Sequence, residues 1–162
     1  MYKIKKAKVI DLNIKPLNIA NFEGFWYLIA LDTNDKDTVK KYYLKNISKI
    51  KILEETFTVE AKIEELLTNA ISVWFNAKQE PFEVKLNASN EIAKYLTRKP
   101  ISPTQMIESV YEDGSIDIVI KITSKMEIMP LVKYWLPYMK VLEPVSIREE
   151  IKQELIWYLN DL

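Results

Sequence analysis

The sequence predicts an α+β protein, and three features of its 162 residues carry that expectation. Over the first third, short apolar runs alternate with polar residues at the period of half-buried strands. Between residues 58 and 75 the period changes to that of a helix. Beyond residue 80, strand-like and helix-like runs take turns. An apolar fraction of 48% is enough for a core, and two glycines leave no Gly-rich low-complexity stretch.

Ile10, Leu12 and Ile14 alternate with Asp11 and Asn13, which predicts a strand over 7–14 that Pro16 then interrupts. Residues 25–31, "FWYLIAL", read as a second strand. The turn-rich "DTNDKDT" (32–38) leads to a third, "VKKYYLKNI" (39–47), and "KIKIL" (49–53) reads as a fourth. Short antiparallel strands in succession suggest a small barrel. Trp26 and Leu28 share a strand face and are expected in its core, while Tyr27 points the other way.

In "TVEAKIEELLTNAISVWF", Ile63, Leu66, Leu67, Ala70, Ile71 and Trp74 draw one stripe down a helix. Thr58 is the expected N-cap, with Glu60, Glu64 and Glu65 near the positive end of the helix dipole. The polar "NAKQEP" (76–81) marks a domain boundary, which gives a barrel over 1–57, a helical linker over 58–80 and a second domain over 81–162.

That second domain reads as a strand (82–88), a helix capped by Ser89, and two strands joined by the Asp-Gly of "EDG". Next comes a helix in "KMEIMPLVKYWLPYM", with Pro130 tolerated in its first turn and Pro137 kinking or ending it. The strand "KVLEPV" and a last helix capped by Ser146 complete the chain. The order β-α-β-β-α-β plus a terminal helix is that of a ferredoxin-like sandwich.

Composition narrows the chemistry. Cysteine and histidine are both absent, so disulfides, thiolate nucleophiles, the commonest zinc ligands and the commonest general base are unavailable. A carboxylate-only hydrolase or nuclease would still be open, but no phosphate-cradling, nucleophile-elbow or dinucleotide-binding motif supports one. The expectation is a binding protein, not an enzyme, with no cofactor and no metal. No 18-residue apolar run and no secretory signal appear, and the missing cysteines suit a reducing, cytoplasmic setting.

Net charge is zero but uneven. Residues 1–57 hold 11 Lys and 7 Asp/Glu, a net +4, and the remainder balances it at −4. The asymmetry hints at an anionic partner for the first half. Alternation along 39–45 puts Lys41, Tyr43 and Lys45 on one face, where lysines could neutralise phosphates and the ring could stack a base. A solvated sheet face fits the same residues. Tyr27 suits either a wet groove or a buried contact, and Lys40 lies on the Tyr42 face. Lys3, Lys5, Lys6 and Lys8 form a basic run read as disorder or an edge strand. "VKYWLPYM" suits a core or an interface, and Arg148 should pair with Glu149 or Glu150.

Two segments, "PLNIANFEGFWYLIALD" (16–32) and "KKYYLKNISKI" (40–50), resemble the WYL domain of bacterial transcriptional regulators. Pro16, Ile19, Gly24, Trp26, Tyr27, Leu28 and Ala30 fit its first motif. Leu44 and Ile47 fit the second, with Tyr42 in place of a phenylalanine. "VYEDGSIDIVIKI" (110–122) and "VLEPVSIREEI" (141–151) resemble the C-terminal extension that follows such domains.

The resemblance implies an Sm-like, SH3-type barrel that senses a ligand, single-stranded DNA or another nucleic acid; the residues expected to contact it here are Tyr27 and the alternating Lys41, Tyr43 and Lys45. It also implies a homodimer supported by the extension, and a winged helix-turn-helix DNA-binding domain. This chain has no room for that domain, so it is expected to be a fragment of a longer regulator. Tyr43 and Asn46 stand where the family has arginines, and Lys45 where it has aspartate. A lysine lacks the arginine fork and acts as a point charge. A dimerisation module with a degenerate ligand site is therefore the alternative.

Overall fold

The computed structural model describes residues 9–161, so the basic run Lys3, Lys5, Lys6 and Lys8 lies outside the described residues. The chain divides into two compact units, Met1–Val59 and Glu60–Leu162. Both are built on antiparallel sheets, and neither sheet closes on itself among the described residues.

The first unit is a meander of β1 (Ile14–Phe22), β2 (Phe25–Asp32) and β3 (Thr38–Tyr43), in the order β1-β2-β3. The expected strand over 7–14 is displaced: residues 9–13 form no strand, and pairing with β2 begins only at Ile14↔Asp32. Pro16 does not interrupt the strand but sits inside it, opposite Ala30. β1 is an edge strand, where a residue without an N–H is tolerated, and the register shifts immediately after it, between Pro16 and Asn18.

A two-residue turn joins β1 to β2. Glu23 and Gly24 both have positive φ, 53° and 85°, the twist that a tight hairpin requires. The Gly24 N–H donates to Asn21 Oδ1 at 3.1 Å and fixes the turn. Ile29, Ala30, Leu31 and Asp32 are buried at the other end of β2.

The expected fourth strand over 49–53 does not form. Lys49 adopts a φ of +54°, which breaks an extended run, and Ile50 and Ile52 are 80% and 90% exposed. Lysine and isoleucine alternate there as in a strand, but the segment has no paired neighbour among the described residues.

The second unit begins with α1 (Ala61–Asn69), shorter than the apolar stripe implied. Glu60, not Thr58, occupies the cap position, and Trp74 lies beyond the helix and largely in solvent. After α1 come β4 (Phe82–Ala88), α2 (Asn90–Arg98), β5 (Met106–Val110), β6 (Ile116–Ile122), α3 (Met129–Tyr134), β7 (Met139–Glu143) and α4 (Val145–Asn160). The four strands lie in the order β5-β6-β4-β7, all antiparallel.

One sheet face carries the core. Val84, Leu86 and Ala88 of β4 alternate inward and meet Ile92, Ala93 and Leu96 of α2, Met129 and Val132 of α3, and Ile147 and Ile151 of α4. The helix expected around residues 125–139 is only the six residues of α3. Pro130 sits in its first turn, as expected, and the helix ends before Pro137. Ser146 does not cap α4; Pro144 holds that position and Ser146 lies inside the helix.

Buried polar groups complete the unit. Glu127 is 5% exposed, and its Oε1 accepts from Thr123 N at 2.9 Å, Thr123 Oγ1 at 3.1 Å and Ser124 N at 3.1 Å. Its Oε2 accepts from Ile71 N at 3.2 Å, so one carboxylate ties the segment after α1 to the turn before α3. On the sheet face away from the core cluster, Asp117 accepts from Asn87 Nδ2 and Tyr111 Oη, both at 2.8 Å. Lys85 lies 3.6 Å from the same carboxylate and pairs with Glu108. Burial pushes the Asp117 carboxyl up, but these hydrogen bonds outweigh it and hold the group below the usual range.

Candidate nucleic-acid interface

Directly opposed residues of neighbouring antiparallel strands share a face. Tyr27 opposes Tyr43, and Lys41 opposes Ile29, so Tyr27, Lys41 and Tyr43 lie on one face of the first sheet. The Tyr27 and Tyr43 ring centroids are 5.7 Å apart and tilted by 45°. Phe25 stands edge-on to Tyr43 at 5.9 Å, and Phe22 meets Tyr27 at 6.3 Å. Four rings thus form a continuous run at the hairpin end of the sheet.

Lys45 departs from the expected geometry. β3 ends at Tyr43, and Leu44–Asn46 form a 3-10 turn, so Lys45 leaves the strand whose alternation would have aligned it with Lys41. The turn instead brings it to the rim of a shallow recess of about 270 Å³ lined by Gly24, Phe25, Trp26, Tyr43, Leu44 and Lys45. Two of the four sequence-derived site residues, Tyr43 and Lys45, line this recess. Tyr27 adjoins it through its ring contact with Tyr43, and Lys41 lies two residues further along the strand.

Trp26, expected in a barrel core, is 52% exposed and lines the recess. Strand alternation assigns its face correctly, opposite to Tyr27, but among the described residues the sheet is open and leaves the ring half in solvent. Phe22, Phe25 and Leu44 also belong to the site, although sequence reasoning does not single them out. The signal is present in "NFEGF", because a turn at Glu23-Gly24 puts Phe25 and Trp26 at the start of a strand beside the hairpin bend.

The opposite face explains why Lys40 is a poor ligand contact. Its Nζ lies 2.7 Å from Asp32 Oδ2 and 3.0 Å from Asp35 Oδ2. The Lys40 hydrogen bond, with help from the Asn34 N–H at 2.9 Å, holds the buried Asp32 carboxyl below its ordinary value against the cost of burial. The same pair raises the Lys40 ammonium above its own. Burial followed by the Asp32 charge pushes the Tyr42 phenol up. These groups brace the turn after β2.

Chemically the hairpin end offers flat rings, a shallow apolar recess and an exposed ammonium at its rim. That combination can stack a planar group and neutralise an adjacent anion.

Residues 80–155 match the family model of the WCX domain. The match lies within the C-terminal unit. WCX domains are the C-terminal extension of WYL regulators, so the resemblance read from "VYEDGSIDIVIKI" and "VLEPVSIREEI" is upheld by the match.

Among solved structures, a CRISPR Cas-related protein superposes with a TM-score of 0.55 at 13% identity. The match covers 93% of this chain and 43% of that one, and it bears on the fold alone. Proteasome accessory factor B/C (PafBC) of Arthrobacter aurescens aligns over 89% of this chain and 21% of its own, with a TM-score of 0.37 and 16% identity, a likeness too loose to argue from. The chain therefore spans less than half the length of either protein. No curated protein sequence matches it. No helix among the described residues is long and apolar enough to cross a membrane.

Proposed function

We propose that this chain is the ligand-sensing module of a bacterial transcription regulator, and that its first unit binds single-stranded nucleic acid at the hairpin end of the sheet. The observation that carries the reading is the run Phe22, Tyr27, Tyr43 and Phe25 beside a recess rimmed by Lys45. Bases stack on such rings without regard to sequence, and lysines beside them meet the phosphates. The WCX match supports a regulatory setting over a catalytic one.

In this reading the first unit is a WYL domain of Sm-like descent, residues 1–57, followed by a helical linker over 58–80. The order β5-β6-β4-β7, with α2 and α3 in its crossovers, supports a ferredoxin-like extension over 81–162. The module works without a cofactor in the cytoplasm, as a homodimer, and passes ligand binding to a DNA-binding domain elsewhere in the full-length protein. Such coupling requires the ligand to favour one arrangement of the dimer over another.

Fluorescence anisotropy of a labelled ten-nucleotide single strand, titrated across a salt series, tests the proposal. Binding that weakens with salt, and weakens further in Tyr43→Ala/Lys45→Ala, is the expected outcome. Absence of binding at low salt would favour a dimerisation module with a degenerate ligand site. The presence of Tyr43 and Asn46 at positions of family arginines favours that second reading. Sedimentation of the same protein reads the dimer directly.

A further inference from the structure

A second aromatic surface lies in the C-terminal unit. Tyr95 of α2 packs against Trp135, just beyond α3, with ring centroids 5.4 Å apart. Tyr134 stands edge-on to Trp135 at 5.2 Å and is 77% exposed. Tyr95 itself is more than one-third exposed, and Trp135 is partly buried against the core. The Tyr95–Trp135 contact gives the shelf a fixed base, and the Tyr134 ring projects from it into solvent.

Unpaired positive charge lies beside the same helix. Most lysines and arginines of this unit sit in ion pairs, among them Lys85 with Glu108, Lys125 with Glu150, Lys133 with Glu154 and Arg148 with Glu149. Lys78, Lys94, Arg98, Lys99 and Lys140 are exposed and form no ion pair among the described residues, and of these Arg98 and Lys99 stand at the C-terminal end of α2. Arg98 is three residues from Tyr95, a spacing that places side chains next to one another on a helix, and Lys99 follows as the C-cap residue, its N–H donating to Tyr95 O at 2.9 Å. Lys94, by contrast, shares a recess with Glu91, Glu112 and Asp113. Arg98 and Lys99 thus put unpaired positive charge at the C-terminal end of α2, within a turn of Tyr95. A helix C-terminus favours cations, which accounts for basic residues here but not for the exposed rings beside them.

We infer that Tyr95, Tyr134 and Trp135, with Arg98 and Lys99, form a second contact surface for single-stranded nucleic acid, in a unit separate from the recess at Tyr43. The rings offer stacking faces, and the guanidinium can bridge a phosphate with two parallel hydrogen bonds or lie flat on a base. An acidic peptide would satisfy the two cations but would leave the rings without a planar partner.

Photo-crosslinking of a ten-nucleotide strand carrying 5-iodouracil, with the peptides mapped by mass spectrometry, tests this on the whole chain. It is run alongside anisotropy for Arg98→Gln/Lys99→Gln, Tyr95→Leu and the hairpin variant Tyr43→Ala/Lys45→Ala. Crosslinks at Tyr95, Tyr134 or Trp135 are expected in the wild type, and they should persist in the hairpin variant. The double charge variant should lower the slope of log affinity against log salt by about 0.7 for each phosphate that a cation no longer meets. Tyr95→Leu should weaken binding about five- to tenfold.

Crosslinks confined to residues 22–45, with Arg98→Gln/Lys99→Gln binding like the wild type, overturn the inference and leave the hairpin site standing. Loss of all binding in the charge variant, with none in the hairpin variant, upholds the shelf and overturns the hairpin reading. No binding by the wild type overturns both. Polyglutamate of equal charge competing as well as the oligonucleotide, with Tyr95→Leu neutral, also overturns it.

Discussion

Single residues show where strand alternation is informative and where it stops. Trp26 and Ile29 belong to the same strand, yet Trp26 is half in solvent and Ile29 is 1% exposed. Alternation along β2 assigns faces, but whether a face is covered depends on segments far away in sequence. For Trp26 no strand closes over it among the described residues. Trp26→Ser should therefore change stability by no more than about 0.5–1 kcal/mol, as for an ordinary surface position. Ile29→Ala should cost about 3 kcal/mol by removing packed methylenes. Urea unfolding followed by circular dichroism measures both, and equal losses would refute the assigned burial. Asp32 and Asp117 make a second residue-scale prediction. Both carboxyls are held below their ordinary values in the fold, so each contributes stability that is present above the unfolded value, near 4, and lost as pH falls through the folded one. Thermal unfolding from pH 7 to pH 2 should show the midpoint dropping below about pH 4. Asp32→Asn should flatten that drop, because its carboxyl no longer takes up a proton.

Elements follow the same division between local and long-range causes. The hairpin at Asp113-Gly114, the strand β4, the first-turn position of Pro130 and the helix α2 starting after Ser89 were legible because each is set by residues within a few positions. The extent of β1 and the absence of a strand at 49–53 were not, because strand existence depends on a partner edge and on the left-handed turn at Lys49. The candidate site was partly legible: alternation along β3 put Lys41 and Tyr43 on one face, as the structure has them, but the pairing of β3 with β2 that sets Tyr27 opposite Tyr43 was not readable, and a 3-10 turn takes Lys45 elsewhere. Glu127 was invisible to pattern reading, since its four hydrogen bonds gather donors from Ile71, Thr123 and Ser124. Glu127→Gln keeps the size but leaves one oxygen position carrying an amide that faces donors, and should cost about 1–3 kcal/mol. Native-state hydrogen exchange should show the Ile71 and Asn76 amides opening first, since Asn76 N also donates to Thr123 Oγ1 at 2.9 Å. Gly114→Ala should cost about 1 kcal/mol or more, because φ is +83° there and the added Cβ would stand 3.3 Å from Asn90 Cβ.

At the scale of the whole molecule the governing fact is a net charge of zero that conceals a +4 half and a −4 half. A neutral protein exerts little long-range pull on a polyanion, so any affinity for single strands must come from cations that touch phosphates and from rings that touch bases. The salt dependence of binding then counts local contacts. Lys41 and Lys45 acting alone give a slope of log affinity against log salt of about −1.4, from roughly −0.7 for each phosphate on a single strand. Arg98 and Lys99 engaging the same strand would bring it to about −2.8. Replacing either pair should remove about half of the larger value, and replacing both should leave a weak, nearly salt-independent affinity carried by stacking. A slope near zero in the wild type would show that no lysine or arginine meets a phosphate, which is the outcome a pure dimerisation module requires. A slope steeper than about −4 would need cations beyond these four, and the lysines at positions 3, 5, 6 and 8 would be the next to replace. Anisotropy at six salt concentrations between 20 and 300 mM, read as a slope, separates these cases, because the unbalanced first half and the neutral whole predict different numbers for the same experiment.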